Sequence, residues 1–170
     1  MNLLRFYGLN EQLTDDDRET LHLLQHDKEL TGAEYDQRLP AIDRALAMFK
    51  KPCTTPLYRG LPPGRGNASF DKLLKFKGYA SFSESLEIAE GFADQTGVIV
   101  KLVRARDAFC YYEWLESEFR AMDRDSFEMA DGDWAIQAAR DEAEWIFPFA
   151  STFQVNRTTK RNGITLIEVI

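Results

Sequence analysis

The chain has 170 residues, 44% of them hydrophobic and 12% aromatic, which suits one globular domain able to bury roughly two-thirds of its unfolded surface. A net charge of −7 and a pI near 4.9 exclude a general electrostatic pull toward nucleic acid or anionic membrane, while leaving room for a local basic groove. Cys53 and Cys110, the only two cysteines, lack metal-ligand spacing and are too few for a disulfide framework, so they point to a reducing, cytoplasmic setting.

The opening residues, Met1 to Phe6, lack the apolar centre of a signal peptide, and no run approaches the ~20 apolar residues that span a bilayer. No membrane role is expected. The first 55 residues read as a helical N-terminal layer. Thr14-Asp15-Asp16-Asp17 resembles a helix start, with an N-cap hydroxyl and acids in the first turn. His22 and His26 stand four apart on the helix that follows, with no carboxylate or thiol cluster to complete a zinc site. Thr31 and Glu34 have capping-box spacing. Pro40 suits the first turn of a third helix, in which Ile42, Ala45, Leu46 and Phe49 form an apolar stripe.

After Pro56 the pattern shifts toward short strands. Leu57 to Leu61 reads as a strand ended by Pro62-Pro63-Gly64. The spacing predicts a short helix over residues 70–76, a strand from Tyr79 to Ser83, a helix from Ser85 to Ala93 and a strand from Val98 to Val103. Residues 107–129 are aromatic, acidic and partly helical, and Asp131-Gly132-Asp133 reads as a turn. Asn162-Gly163 joins two final strands, Phe153 to Val155 and Ile164 to Val169, as a hairpin. Nothing marks an inter-domain linker, so residues 56–170 form the second part of one domain.

Three features carry chemistry. Arg59 lies within an apolar strand, and a cation in or beside a core needs an anionic partner, which a carboxylate or a phosphate can supply. Ser81 and Ser83 alternate with Phe82 and so share a strand face, where they serve either as helix caps or as site residues. Glu142 and Glu144 open the apolar run Trp145-Ile146-Phe147. On a continuous strand they would point the same way, about 7 Å apart, and repel each other unless something polar or positive answers them.

In this order and in these contexts the chain resembles the toxin-type mono-ADP-ribosyltransferases, with their Arg, Ser-Thr-Ser and Glu-x-Glu motifs. Leu57-Tyr58-Arg59-Gly60-Leu61 is similar to the family's arginine strand. Ser81-Phe82-Ser83, followed by Ala89 and Phe92-Ala93, is similar to its serine strand and the helix after it. Glu142-Ala143-Glu144, followed by Pro148 and then Phe153-Gln154-Val155, is similar to its catalytic strand and prolyl turn. Phe82 departs from the usual threonine, but its side chain should face away from the two serines. The resemblance covers residues 56–170 and implies an α+β fold: two small β-sheets packed around an NAD cleft, with the N-terminal helical layer at one side.

The resemblance also implies an activity, transfer of ADP-ribose from NAD to protein arginine with release of nicotinamide. A fixed carboxylate stabilises the oxocarbenium-like charge that develops as the nicotinamide–ribose bond breaks, and Glu144 is the implied residue. Arg59 would hold the phosphates and Ser81 would orient Glu144 and the ribose, with Ser83 in support. Gly60 would let its backbone approach the nicotinamide amide. Glu142 would hold the acceptor guanidinium and assist its proton loss, since a protonated guanidinium is a poor nucleophile. Trp134, within 131–141, is the implied contact to the target. NAD is a co-substrate, and no metal is implied.

Rival uses of such a site are an NAD glycohydrolase, transfer to a nucleic acid base and a non-catalytic interaction domain. Lys72, Lys75 and Lys77, or Arg157, Lys160 and Arg161, offer a local basic patch for a nucleic acid. A retaining glycosidase fits less well, because two carboxylates on one strand do not flank a sugar from opposite sides. Single-domain proteins of this type resemble phage-delivered or secreted bacterial effectors and conflict toxins, which implies a cognate antitoxin or immunity protein as a further partner.

Overall fold

The computed structural model describes residues 13–14, 17–18, 20–21, 32–61, 72–93, 97–129, 131–161 and 163–170. The helix start at Thr14 is formed as a reciprocal cap: the Asp17 amide donates to Thr14 Oγ1, and the Thr14 amide to the Asp17 carboxylate, both at 3.1 Å. Arg44 reaches the same carboxylate at 2.6 Å and ties this turn to a helix further along the chain. That helix, α1, runs unbroken over Gly32–Phe49 with Pro40 inside it, so the two helices expected around Pro40 are one. Its stripe is as expected: Ile42, Ala45, Leu46 and Phe49 are all buried. The capping pair Thr31/Glu34 and the histidines His22 and His26 fall outside the described residues.

Nine strands follow among the described residues: β1 (Lys50–Pro52), β2 (Leu57–Gly60), β3 (Leu73–Lys75), β4 (Ala80–Ser83), β5 (Val98–Leu102), β6 (Asp107–Cys110), β7 (Glu144–Phe147), β8 (Thr152–Arg161) and β9 (Ile164–Val169). Between them lie α2 (Leu86–Ala93), α3 (Tyr111–Ala121), α4 (Arg124–Met129) and α5 (Gly132–Glu142). Three expectations change here. Residues 73–75 form a strand where a helix was expected, because Leu73-Leu74-Lys75 pairs with Thr152 to Gln154. Residues 107–110 form β6, hidden in the sequence by the helix that begins at once after it. The turn expected over Asp131-Gly132-Asp133 narrows to Asp131, which sits in the left-handed region at φ 49°, and α5 starts at the next residue.

The strands pair in the order β1-β6-β7-β4-β2-β5-β9-β8-β3. The two expected sheets are thus the two ends of one continuous pairing. They still pack face to face, because a bulge between Val155 and Arg157 bends β8. Phe153, on the β3 side of that bend, meets the rings of Phe82 and Phe147 at centroid distances of 5.5 and 5.2 Å. Phe76 joins them edge-on. Phe82 is 1% exposed: a strand alternates faces, so a large apolar ring there leaves Ser81 and Ser83 on the opposite face.

That opposite face carries the helices. Phe109 and Ile146 pack with Ile42, Phe49, Trp114, Leu115 and Ile136, which joins α1, α3 and α5 to β6 and β7. α2 covers β2 and β5 through Ala89, Ala93 and Ile99. Gly60 permits that contact. A Cβ at residue 60 would stand 2.1 Å from the Ala89 carbonyl oxygen and 2.7 Å from the Ala93 amide nitrogen.

Candidate active site

The β2–β4 junction is a ladder that stops early. Tyr58 pairs with Ser83 and the register ends there, while β2 continues along β5 from Leu57 to Gly60. The Leu61 amide donates to the Val98 carbonyl at 3.1 Å. By the alternation of an antiparallel ladder, Leu57, Arg59 and Leu61 therefore turn their backbone groups to β5, and Tyr58 and Gly60 turn theirs to β4. The Gly60 amide and carbonyl face the gap where the two strands part.

Arg59 spans the same gap. Its Nη1 donates to the Ser81 carbonyl at 2.6 Å and to Ser81 Oγ at 2.9 Å, and its guanidinium lies over the Phe76 ring, 5.3 Å from the centroid. The cation expected beside the core is there, half-buried and held by two oxygens and an aromatic face. Arg59, Gly60 and Ser81 are thus brought together by the fold.

Ser83 is placed differently. It is 7% exposed, and its hydroxyl donates to the Glu142 carbonyl at 2.5 Å while accepting from the Ser85 amide at 2.9 Å. Its oxygen pins the end of α5 to the start of α2. Ser83 also stands opposite Glu144 in the β4–β7 ladder, so their Cβ atoms are about 5 Å apart, with Ser81 one diagonal step further along.

The two glutamates do not alternate along one strand, contrary to the sequence expectation. Glu142 is the last residue of α5, Ala143 is left-handed at φ 43°, and Glu144 is the first residue of β7. The Ala143 amide closes the helix on the Ala139 carbonyl at 2.9 Å, and its carbonyl accepts the Glu84 amide at 3.2 Å. A helix end, one left-handed residue and a strand start make a bend. This bend answers the repulsion that a straight strand would impose: Glu142 is exposed to solvent, Glu144 half-buried in the sheet.

α5 is held from outside. Arg140, two residues before Glu142, donates to both carboxylate oxygens of Glu116 on α3, at 2.6 and 2.9 Å. Burial works to raise the Glu116 pKa, but Arg140 and Arg120 outweigh it and hold the carboxyl below its usual value. Trp134, 69% exposed, sits near the start of this helix, eight residues or about 12 Å from Glu142 along its axis. It lies apart from the Arg59–Ser81 cluster. An open groove of about 710 Å³ lies beside it, lined by Phe119, Arg120, Asp133, Ile136 and Arg140.

No family model matches the chain, and no curated protein does either. Solved structures do. The Vis toxin of Vibrio splendidus, an ADP-ribosyltransferase, superposes with a TM-score of 0.60 at 14% identity, over 97% of this chain and 75% of that one. The chain has the ADP-ribosyltransferase fold. An ADP-ribosyltransferase of Clostridium botulinum gives 0.58 at 12% identity over 92% of this chain and 86% of that one. Exoenzyme S of Pseudomonas aeruginosa, solved with human 14-3-3 protein beta and carba-NAD, gives 0.55 at 13% identity over 97% and 72%. A further Vis structure is a complex with agmatine.

On the ADP-ribosyltransferase fold, the three sequence motifs fall on β2, on β4 and on the α5–β7 bend. Two neighbours of the site were not anticipated. Glu84 Oε1 accepts from Trp145 Nε1 at 2.8 Å, from Thr54 Oγ1 at 2.7 Å and from the Tyr112 hydroxyl at 3.4 Å, so it anchors the residue next to Glu144. Tyr111 follows β6 directly and is 1% exposed. The signal for both was weak: an acid directly after Ser81-Phe82-Ser83, and a tyrosine pair at a strand-to-helix change. Among the described residues, no cluster of three or more His, Cys, Asp or Glu side chains is arranged to hold a metal ion, and no helix is long and apolar enough to cross a membrane.

Proposed function

We propose that the chain is a mono-ADP-ribosyltransferase that uses NAD as co-substrate and transfers ADP-ribose to protein arginine, releasing nicotinamide. The observation that carries this reading is the Arg59–Ser81 pair set beside the Glu142–Glu144 bend on this fold. Exoenzyme S bound to carba-NAD supports the nucleotide, and Vis bound to agmatine, itself a guanidine, supports the acceptor class.

The residues fit such a substrate. Arg59 presents a fixed guanidinium at the β2–β4 gap, which suits a diphosphate. The Gly60 amide and carbonyl turn into the same gap and suit a carboxamide. Glu144 offers a carboxylate at the edge of a buried sheet, where low dielectric strengthens its pull on developing positive charge. As the glycosidic bond breaks, its electron pair leaves with nicotinamide and neutralises the pyridinium. The acceptor guanidine nitrogen then bonds to the ribose carbon, and Glu142 takes the proton that this nitrogen sheds, passing it to solvent. The exposure of Glu142 at a helix end suits a group that must meet a second macromolecule. Ser83 acts through the backbone, fixing the carbonyl of Glu142. Trp134 and the groove beside it would contact the acceptor protein.

The test uses the full chain with labelled NAD, in the presence of agmatine and of an arginine-rich protein. Transfer predicts label on both acceptors, lost in Glu144→Gln. Free ADP-ribose without acceptor label would assign the site to NAD hydrolysis. Label that nuclease rather than protease removes from a cell lysate would assign it to nucleic acid. Neither binding nor turnover of NAD would leave a non-catalytic domain of the same fold.

A further inference from the structure

The Tyr111 phenol oxygen is buried without a hydrogen-bond partner. Buried hydroxyls are nearly always bonded, and leaving one unpaired costs stability. The ring is wedged between Phe109, edge-on at 6.1 Å, and Trp114 at 5.6 Å, so the phenol cannot swing out to water without disturbing that cluster. A phenylalanine would fill the same space at no polar cost. The hydroxyl therefore asks for a use.

Its position supplies one. Cys110 stands opposite Trp145 at the end of the β6–β7 ladder; Tyr111, directly after Cys110, opens α3, and Glu144 directly precedes Trp145 on β7. Glu144 already stands opposite Ser83 on its other side, whose hydroxyl is committed to Glu142 and Ser85. The charged groups that act on the phenol are Glu144, from β7, and Glu142, from the end of α5, and no described cation is among them. Burial first, and then these two carboxylates, push the phenol well above its ordinary pKa. Tyr111 thus stays a neutral O–H donor throughout the physiological range, enclosed beside two acceptors.

We propose that Tyr111 is a positioning residue of this active site, its phenol O–H held for the Glu144 carboxylate when that side chain turns to receive the nicotinamide ribose. The assignment rests on the ADP-ribosyl-transfer reading above. A donor to a carboxylate favours the ionised form and fixes its orientation. Both effects serve a group that must be anionic and aimed when positive charge develops.

The experiment compares wild type with Tyr111→Phe in the full chain, measuring thermal unfolding and the pH profile of NAD cleavage. The variant is expected to unfold at the same temperature as wild type or higher, because an unpaired hydroxyl is gone. Its kcat should fall about tenfold, the scale of one hydrogen bond to a charged group, with KM for NAD within about twofold. Loss of a donor to the ionised form raises the Glu144 pKa, so the acid limb of the profile should move to higher pH. A variant with wild-type kcat and an unmoved acid limb overturns the assignment while leaving the transferase reading intact. A lower unfolding temperature with an unshifted limb overturns it in favour of packing alone. A wild-type protein that neither binds nor cleaves NAD overturns the functional reading, and this assignment with it.

Discussion

At the β2–β4 gap, Arg59 donates to two oxygens of Ser81 and rests on the Phe76 ring. On the β7 side, Ala143 is held at φ 43° and the Tyr111 hydroxyl is buried unpaired. The first wall is assembled in the free protein, with Arg59 and Ser81 already bonded to each other. The second keeps two features that cost stability, a left-handed alanine and an orphan donor, at the one place where the proposed chemistry develops charge. A protein can retain such features when the surrounding structure over-determines them, as the Arg140–Glu116 pair and the Ser83–Glu142 bond do here. The contrast separates a wall placed to hold a substrate, where the Arg59 guanidinium is already tied to Ser81, from the wall proposed to react with it, where the backbone bends between two carboxylates.

Substitutions on each wall test that separation. Glu144→Gln should have the largest effect, lowering NAD cleavage and transfer by about a thousandfold while NAD affinity stays within a few-fold, read by labelled-NAD turnover and calorimetry. If affinity fell in step with turnover, the two walls would share one role. Glu142→Ala should lower transfer to agmatine by about a hundredfold yet leave NAD hydrolysis within a few-fold, since only the acceptor needs that carboxylate. Joint loss of both activities would erase the division between the glutamates. Arg59→Ala should weaken NAD binding by about ten- to a hundredfold, the scale of one or two bonds to a charged group. Little change in affinity would take the phosphate-holding role from the β2–β4 wall. Ala143→Gly should be the mildest. Removing the left-handed cost raises stability by about 0.5–1 kcal/mol, a few degrees in Tm, and slows transfer as the Glu142 end loosens. A lower Tm would mean that the bend stores no strain.

The sequence spelled out the β2–β4 wall because its signals are local. Arg59 between apolar residues and Ser81 alternating with Phe82 depend only on strand geometry, and the structure keeps both. The reacting wall was misread for a definite reason. Glu142-Ala143-Glu144 reads as an extended run when only the β-formers after it are considered, but the apolar spacing of Ile136 and Ala139 extends a helix to Glu142. A single alanine in the left-handed region then reverses the expected geometry, and no composition rule flags an alanine there, where glycine is the usual choice. β6 was hidden because Cys110 passes directly into α3 with no Gly or Pro between. β3 was missed because its partner, Thr152 to Gln154, lies almost eighty residues away, and a three-residue strand exists only through that pairing. Tyr111 carries no signal of its own in the sequence: its burial comes from Phe109 and Trp114, and its meaning from the β6–β7 register.

The ends of the sheet carry one more consequence. Each outermost strand, Lys50-Lys51-Pro52 and Leu73-Leu74-Lys75, has only three residues, and β8 beyond its bend exposes Asn156, Arg157, Thr158 and Lys160. Short rims with lysines, a proline that withholds an amide and a bulge that twists the margin offer a poor template for strand addition by another chain. A sheet with so little usable border among the described residues can sit at high local concentration without recruiting another chain into a shared β-structure.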